Sequence, residues 1–257
     1  MRAAGAVGMV VLTLASGGAA CSSFGSAPST ADVFDGGTEP GSDASSDALP
    51  PAAPLDGGCG VPPFATRITG AEPADDGWDY DVAYGPQGEL SVTRIDEGDG
   101  VLRATILESS GGGRGKVYVR EIDAAEAQCV GFEMKLRVPR FPEKGLSILS
   151  STLRFASDVM LAIALAPGSW IAVVQQIEGG AGYRSLARTR LVDDQWHVIR
   201  VGYAAGPVVE ASIDGVPMPV DQAEVLPFSA PTRFDVGVTF APPESFASFD
   251  IDEVSLF

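Results

Sequence analysis

The feature that most constrains this chain is an alternation of apolar and polar residues that runs, with little interruption, from residue 59 to residue 257. Val130, Phe132, Met134, Leu136 and Val138 alternate with Cys129, Gly131, Glu133, Lys135 and Arg137. Successive side chains of an extended backbone leave opposite faces, so this pattern predicts a strand with one buried and one solvated face. Val159, Leu161, Ile163 and Leu165 repeat it, as do Phe234, Val236, Val238 and Phe240. Val209, Ala211 and Ile213 alternate with Glu210, Ser212 and Asp214, and Asp214-Gly215 then predicts a tight hairpin turn. Near the C-terminus Phe249 and Ile251 share one phase, while Val254 and Leu256 fall in the other. A bulge near Asp252-Glu253 would return both pairs to one core. Further strands are predicted over 88–95, 100–107, 116–122, 147–155, 170–177, 183–191 and 196–204. No stretch sustains a helical period, and 124–127 offers at most one turn. Roughly a dozen short strands broken by Gly and Pro predict an all-β, two-sheet antiparallel sandwich. The segment 59–257 is long enough to form one well-cored domain.

The first 58 residues read differently. Arg2, an apolar run over 3–14 and small residues over 15–20 form a signal peptide. The run is shorter than the roughly 20 apolar residues a spanning helix needs. Gly18-Ala19-Ala20-Cys21 resembles the lipobox of exported bacterial lipoproteins. That resemblance implies removal of residues 1–20 and a lipid on Cys21, anchoring the chain to a membrane; Gly18 and Ala20 also suit cleavage of a plainly secreted protein. In Gram-negative lipoproteins, a residue such as Ser22 after the cysteine implies sorting to the outer membrane. With Cys21 lipidated, Cys59 and Cys129 remain as an even pair for one disulfide in an oxidising compartment. No CxxC or Cys/His cluster supports a metal or redox role. Between Cys21 and Cys59, 22–58 is mostly Ala, Ser, Gly, Pro and Asp with no Lys or Arg, which predicts a disordered acidic tether of roughly 35 Å or more.

Asp193-Asp194-Gln195-Trp196-His197-Val198-Ile199-Arg200-Val201, followed by Val209-Glu210-Ala211-Ser212-Ile213-Asp214-Gly215, resembles a run of laminin-G-like and concanavalin A-like jelly rolls. Phe249-Asp250-Ile251-Asp252-Glu253-Val254-Ser255-Leu256 is similar to the closing strand of many bacterial relatives. The resemblance implies a jelly roll whose first and last strands pair in one sheet. It is specific for fold and weakly specific for activity.

Glu121-Ile122-Asp123-Ala124-Ala125-Glu126 matches the E-x-D-x-x-E spacing of retaining jelly-roll glucanases. By that resemblance Glu121 is the nucleophile, Asp123 its supporting acid and Glu126 the general acid, which requires carboxylates about 5–5.5 Å apart. Val117-Tyr118-Val119-Arg120 precede it where the glucanases have Trp-Pro, and the motif runs into a turn. His197 is the only histidine and lies in a structural strand, so no nucleophilic triad is expected. Trp170 and Trp196 are expected in the core. Tyr183, Arg184, Arg188 and Arg190 suggest a groove for an acidic polysaccharide, against the simpler reading of arginines decorating one sheet face. The 34 Asp and Glu against 17 Lys and Arg give a net charge of −17, which disfavours nucleic acid.

Calcium is the one cofactor considered, through loop oxygens among Asp75, Asp76, Asp79 and Asp81, or Asp96, Glu97 and Asp99. Trp78, Tyr80 and Tyr84 lie beside the first cluster, in a segment that reads as irregular, as sugar-stacking candidates. The sequence therefore predicts a lipid-anchored, surface-displayed domain without catalytic activity that binds carbohydrate or matrix. A structural or adhesive envelope protein is the alternative, and a retaining hydrolase the third reading.

Overall fold

The computed structural model describes residues 64–67, 77–82, 90–95, 101–106, 116–143, 148–177, 182–242 and 246–257. The strands are β1 (Phe64–Arg67), β2 (Asp79–Val82), β3 (Leu90–Ile95), β4 (Val101–Ile106), β5 (Lys116–Glu121), β6 (Cys129–Arg140), β7 (Ile148–Phe155) and β8 (Val159–Ala166). They continue as β9 (Trp170–Ile177), β10 (Tyr183–Arg190), β11 (Trp196–Ala204), β12 (Val208–Ile213), β13 (Val216–Pro217), β14 (Pro231–Phe240) and β15 (Ala247–Leu256). The eight-stranded sheet runs β13-β12-β11-β6-β15-β4-β3, with β1 also on β15. The seven-stranded sheet runs β10-β9-β8-β7-β14-β5-β2. Every strand pair is antiparallel. The fold is the expected all-β sandwich.

The inward phases meet between the sheets. Phe132, Met134 and Leu136 from β6 bury fully against Phe234 and Val236 from β14 and Leu161 and Ile163 from β8. The Phe132 and Phe234 rings lie 5.1 Å apart. Each such side chain contributes about 2 kcal/mol of transfer free energy, so the alternation alone specifies which face of each strand turns inward.

Several local expectations are met. The register of β15 against β6 shifts between Ile251 and Val254, and this bulge buries Phe249, Ile251, Val254 and Leu256 together. Asp214 and Gly215 both take positive φ, 52° and 76°, as a tight hairpin turn requires. The first and last strands pair, with Phe64 opposite Leu256. Ala127 N–H bonds the Ala124 carbonyl in a single turn. Strands β1, β2 and β13 were not expected. The segment carrying Trp78 and Tyr80 is not irregular: β2 pairs with β5 at the edge of the seven-stranded sheet.

Two buried carboxylates stitch the sheets from outside. Asp250 on β15 accepts both arms of the Arg103 guanidinium at 2.6 and 2.8 Å and two bonds from Arg137 at 2.9 and 2.6 Å. On the other sheet Asp235 accepts from Arg154 at 2.8 Å and from Arg233. Cys129, which opens β6, is disulfide-bonded, and its partner lies outside the described residues.

Candidate functional site

The outward face of the seven-stranded sheet is where this chain departs most from its own composition. Strands β7, β8, β9 and β10 carry no Asp or Glu, and their only charged residues are Arg154, Arg184, Arg188 and Arg190. Strands β8 and β9 are apolar on both faces. Ile163 and Val173 point into the main core, while Leu149, Ala162, Ala164, Ala172 and Val174 form a second, outward cluster joined by Tyr183 and Phe240. All five residues of this cluster are buried, and the partly exposed Tyr183 and Phe240 pack against them. Beside it the Thr152 hydroxyl donates to Thr239 at 2.9 Å, and Thr239 donates to the Leu149 carbonyl at 3.0 Å.

A bulge decides what stands at the edge of this face. The register of β10 against β9 shifts between Ser185 and Ala187. Leu186 and Ala187 therefore both enter the core, and Tyr183, Arg188 and Arg190 stay outward, paired with Gln176, Ala172 and Trp170. Strict alternation would have put Leu186 in phase with the two arginines. The guanidinium carbons of Arg188 and Arg190 sit 5.1 and 5.0 Å from the centroid of the partly exposed Trp170 ring. Gly168 and Ser169, at φ 77° and 63°, make the turn that delivers Trp170. The Ser169 carbonyl accepts from Leu191 N–H at 2.9 Å, fixing the end of β10 beside it.

Trp196 is also no core residue. It is partly exposed on the eight-stranded sheet, with Lys135 Nζ 5.0 Å and Arg137 4.8 Å from its centroid. Trp78, proposed from sequence as a sugar platform, is the tryptophan that does enter the core: it is 2% exposed and packs 6.2 Å from Phe234. It offers no face to a ligand. Asp79 is exposed on β2, and Tyr80 and Asp81 follow it in that strand. Asp75, Asp76, Tyr84, Asp96, Glu97 and Asp99 lie outside the described residues, as do Cys21 and Cys59. Among the described residues no three His, Cys, Asp or Glu side chains group to hold a metal ion.

The glucanase-like acids do not share a strand. Glu121 ends β5, and Asp123 and Glu126 follow in the connection to β6, all three exposed. Alternation along one strand, which would place such acids on a single face, is therefore missing. His197 is a fixture of the sandwich: Nδ1 bonds Asp214 Oδ2 at 2.7 Å and Nε2 faces the Val192 carbonyl at 3.3 Å. Partial burial pushes the Asp214 carboxyl up, but the His197 bond, the Val198 N–H and the charge on His197 together hold it below the ordinary carboxylate value. Between the sheets Tyr203 donates to the Leu226 carbonyl, and the Gln175 amide oxygen accepts from Leu226 N–H at 2.7 Å. Burial raises the Tyr203 phenol above its usual range, though Gln175 bonding works against this.

No family model matches the chain, and no curated protein is detectably similar to it in sequence. Among solved structures the receptor-binding domain of botulinum neurotoxin type G is similar at TM-score 0.51 and 12% identity, over 76% of this chain and 47% of that one. This chain thus spans about half the length of that neurotoxin domain. The cellulose-induced protein Cip1 is similar at TM-score 0.50 and 11% identity, over 70% of this chain and 90% of that one. A carbohydrate esterase of the Shiga toxin-encoding bacteriophage phi24B reaches TM-score 0.49 at 13% identity, over 77% and 98%. At such identities the first two likenesses show the jelly-roll fold alone.

Proposed function

We propose that this chain is a non-catalytic binding domain for carbohydrate or matrix glycan, working through the outward face of the seven-stranded sheet. The observation that carries this reading is the acid-free outward side of β7–β10, at whose edge Trp170, Tyr183 and Gln176 are partly exposed and Arg188 and Arg190 exposed. It sets aromatic rings beside a few polar groups, the composition of ligand sites in general. The neurotoxin domain that shares the fold is by its description a receptor-binding domain, which adds a precedent for surface recognition without bearing on the ligand. The domain is presented at the outer membrane by a lipid on Cys21, after removal of residues 1–20 and through the tether 21–58; plain secretion is the alternative. A Cys59–Cys129 disulfide ties the start of the domain to β6, consistent with the bonded state of Cys129.

A glycan array probed with the full chain, with calcium and again with chelator, tests the reading. Binding to a defined sugar supports it. Loss on chelation would assign calcium to the acidic residues around Asp75, Asp76, Asp79 and Asp81, and persistence would dispense with the metal. Silence under both conditions overturns it. A second reading, an adhesive envelope protein that binds other proteins, is favoured by one observation. Val192, Val198 and Val216 are 56%, 39% and 67% exposed around the His197–Asp214 contact.

A further inference from the structure

Resting on the glycan-binding reading, we infer that the ligand is an anionic saccharide, bearing carboxylate or sulfate, engaged at Trp170 by the Arg188 and Arg190 guanidinium groups. The reasoning starts from the fate of the three tryptophans. Neutral sugars bind by stacking on a bare aromatic face. Trp78 is buried, Trp196 carries Lys135 and Arg137 over its ring, and Trp170 carries Arg188 and Arg190. Trp170 therefore stands beneath two exposed cations.

Stacking engages the face of a guanidinium, whereas its N–H donors lie in its plane and point past the ring edge. Two guanidinium groups held about one indole bring such donors within reach of the planar or tetrahedral oxygens of one carboxylate or sulfate. The local charge agrees with this. The chain holds 34 acids, yet the four strands β7–β10 hold none beside their four arginines. Of these, Arg154 is committed to Asp235, and Arg184 lies in the other phase and bonds Glu224 at 2.8 Å. Arg188 and Arg190, both exposed and both over the Trp170 ring, place two positive charges at one end of this face. The net charge of −17 does not cancel them for a bound ligand, because exposed charges are largely screened beyond about 8 Å at physiological ionic strength. From Trp170 to Gln176 the strand extends roughly 20 Å, long enough for an oligosaccharide rather than a single ring. Its far end carries the paired Gln176 and Tyr183 as partners for sugar hydroxyls.

The test titrates the full chain, in detergent, with two matched pairs: oligogalacturonide against its methyl ester, and a sulfated against an unsulfated cello-oligosaccharide. The expected result is that an acidic member binds about tenfold or more tighter than its neutral partner, the usual scale for a charge-assisted contact. The Arg188→Gln/Arg190→Gln double variant should lose that preference, Arg188→Lys/Arg190→Lys should keep part of it, and Arg184→Gln should keep all of it. Unfolding curves establish that each variant is folded. If each neutral partner binds as well as its acidic counterpart, or if the double Gln variant retains the preference, the inference is overturned while the glycan reading stands. If no saccharide of the four binds, and the glycan array is silent, the reading itself falls and the inference with it.

Discussion

The two outward faces of the sandwich solve the same problem, how to back a buried sheet against water, in opposite ways. On the eight-stranded sheet, cations alternate with carboxylates. Asp250 is clamped by Arg103 and Arg137, Lys135 reaches Asp252 at 2.6 Å, and Arg200 lies 3.6 Å from Glu133. Trp196 lies beneath two of these same cations. On β7–β10 of the seven-stranded sheet the strands supply arginines and a capped tryptophan but no carboxylate. A face whose charges satisfy each other is built for stability. One whose strands carry no acid of their own, with Arg188 and Arg190 exposed at its edge, offers cations that a ligand can meet. The contrast predicts that substitutions on the first face cost folding energy and substitutions on the second cost binding.

The largest effect should come from Asp250. Its side chain is fully buried, and Asp250→Ala removes the carboxylate on which two guanidinium groups converge. Losing one partner of a buried ion cluster costs about 3–5 kcal/mol, to be read from urea unfolding, and saccharide binding by the surviving folded fraction should be unchanged. A loss of binding in proportion to stability would erase the distinction between the faces. Next comes Gly131, against whose position the Phe257 ring lies so closely that a Cβ would meet Cε2 at 2.2 Å. Main-chain bonds of 2.8 and 3.0 Å hold Phe257 there, and Arg200 stacks on its ring at 4.0 Å. Gly131→Ala should cost about 1–3 kcal/mol, as overpacking generally does. Removing the ring in Gly131→Ala/Phe257→Ala should cost less than the two single changes summed. Tyr203→Phe removes the donor to the Leu226 carbonyl between the sheets and should cost about 1–2 kcal/mol. By contrast, Arg188→Gln/Arg190→Gln should move unfolding by less than about 0.5 kcal/mol, the usual bound for exposed positions, while abolishing the acidic-saccharide preference.

The same contrast marks what was legible in the sequence. Strands of the eight-stranded sheet such as β6 have one wet and one dry face, so their alternation fixed both the elements and their orientation. The bulge at Asp252-Glu253 was readable because four apolar residues demanded a common side. Strands β8 and β9, VMLAIALA and WIAVVQQI, are apolar in both phases. Period two then identifies a strand without saying which side is in. That is why Trp170 was expected in the core and stands outside it. The converse error was Trp78, an aromatic among Asp75, Asp76 and Asp79 that reads as loop, yet its phase on the way into β2 turns it onto Phe234. The bulge in β10 had no apolar pattern to announce it, and without it Arg188 and Arg190 look like scattered surface charge. Tyr183, Arg188 and Arg190 were thus legible as a possible acidic-polysaccharide groove, but Trp170 beside them was not, because strands apolar in both phases give no signal of side.

The smallest predicted effect belongs to the hairpin end of the eight-stranded sheet and probes how far its charges are structural. Asp214 takes a bond from His197 and one from Val198 N–H at 2.8 Å, and its carboxyl titrates below the ordinary value of 3.8. A depressed folded-state value means that the unfolded chain binds the proton more readily. The contribution is therefore complete above the unfolded-state value and is lost as pH falls through it and then through the lower folded-state value. The side chain is 48% exposed, so solvent screens the effect and the shift in melting temperature should be modest. Melting temperatures of wild type and Asp214→Asn should diverge most above pH 5 and converge towards pH 2. A constant gap across that range would show that Asp214 acts through turn geometry at φ 52° rather than through its charge. Convergence would place His197 and Asp214 with the other matched charges of this face, as structure, and leave the acid-free face of β7–β10 as the surface to search for a ligand.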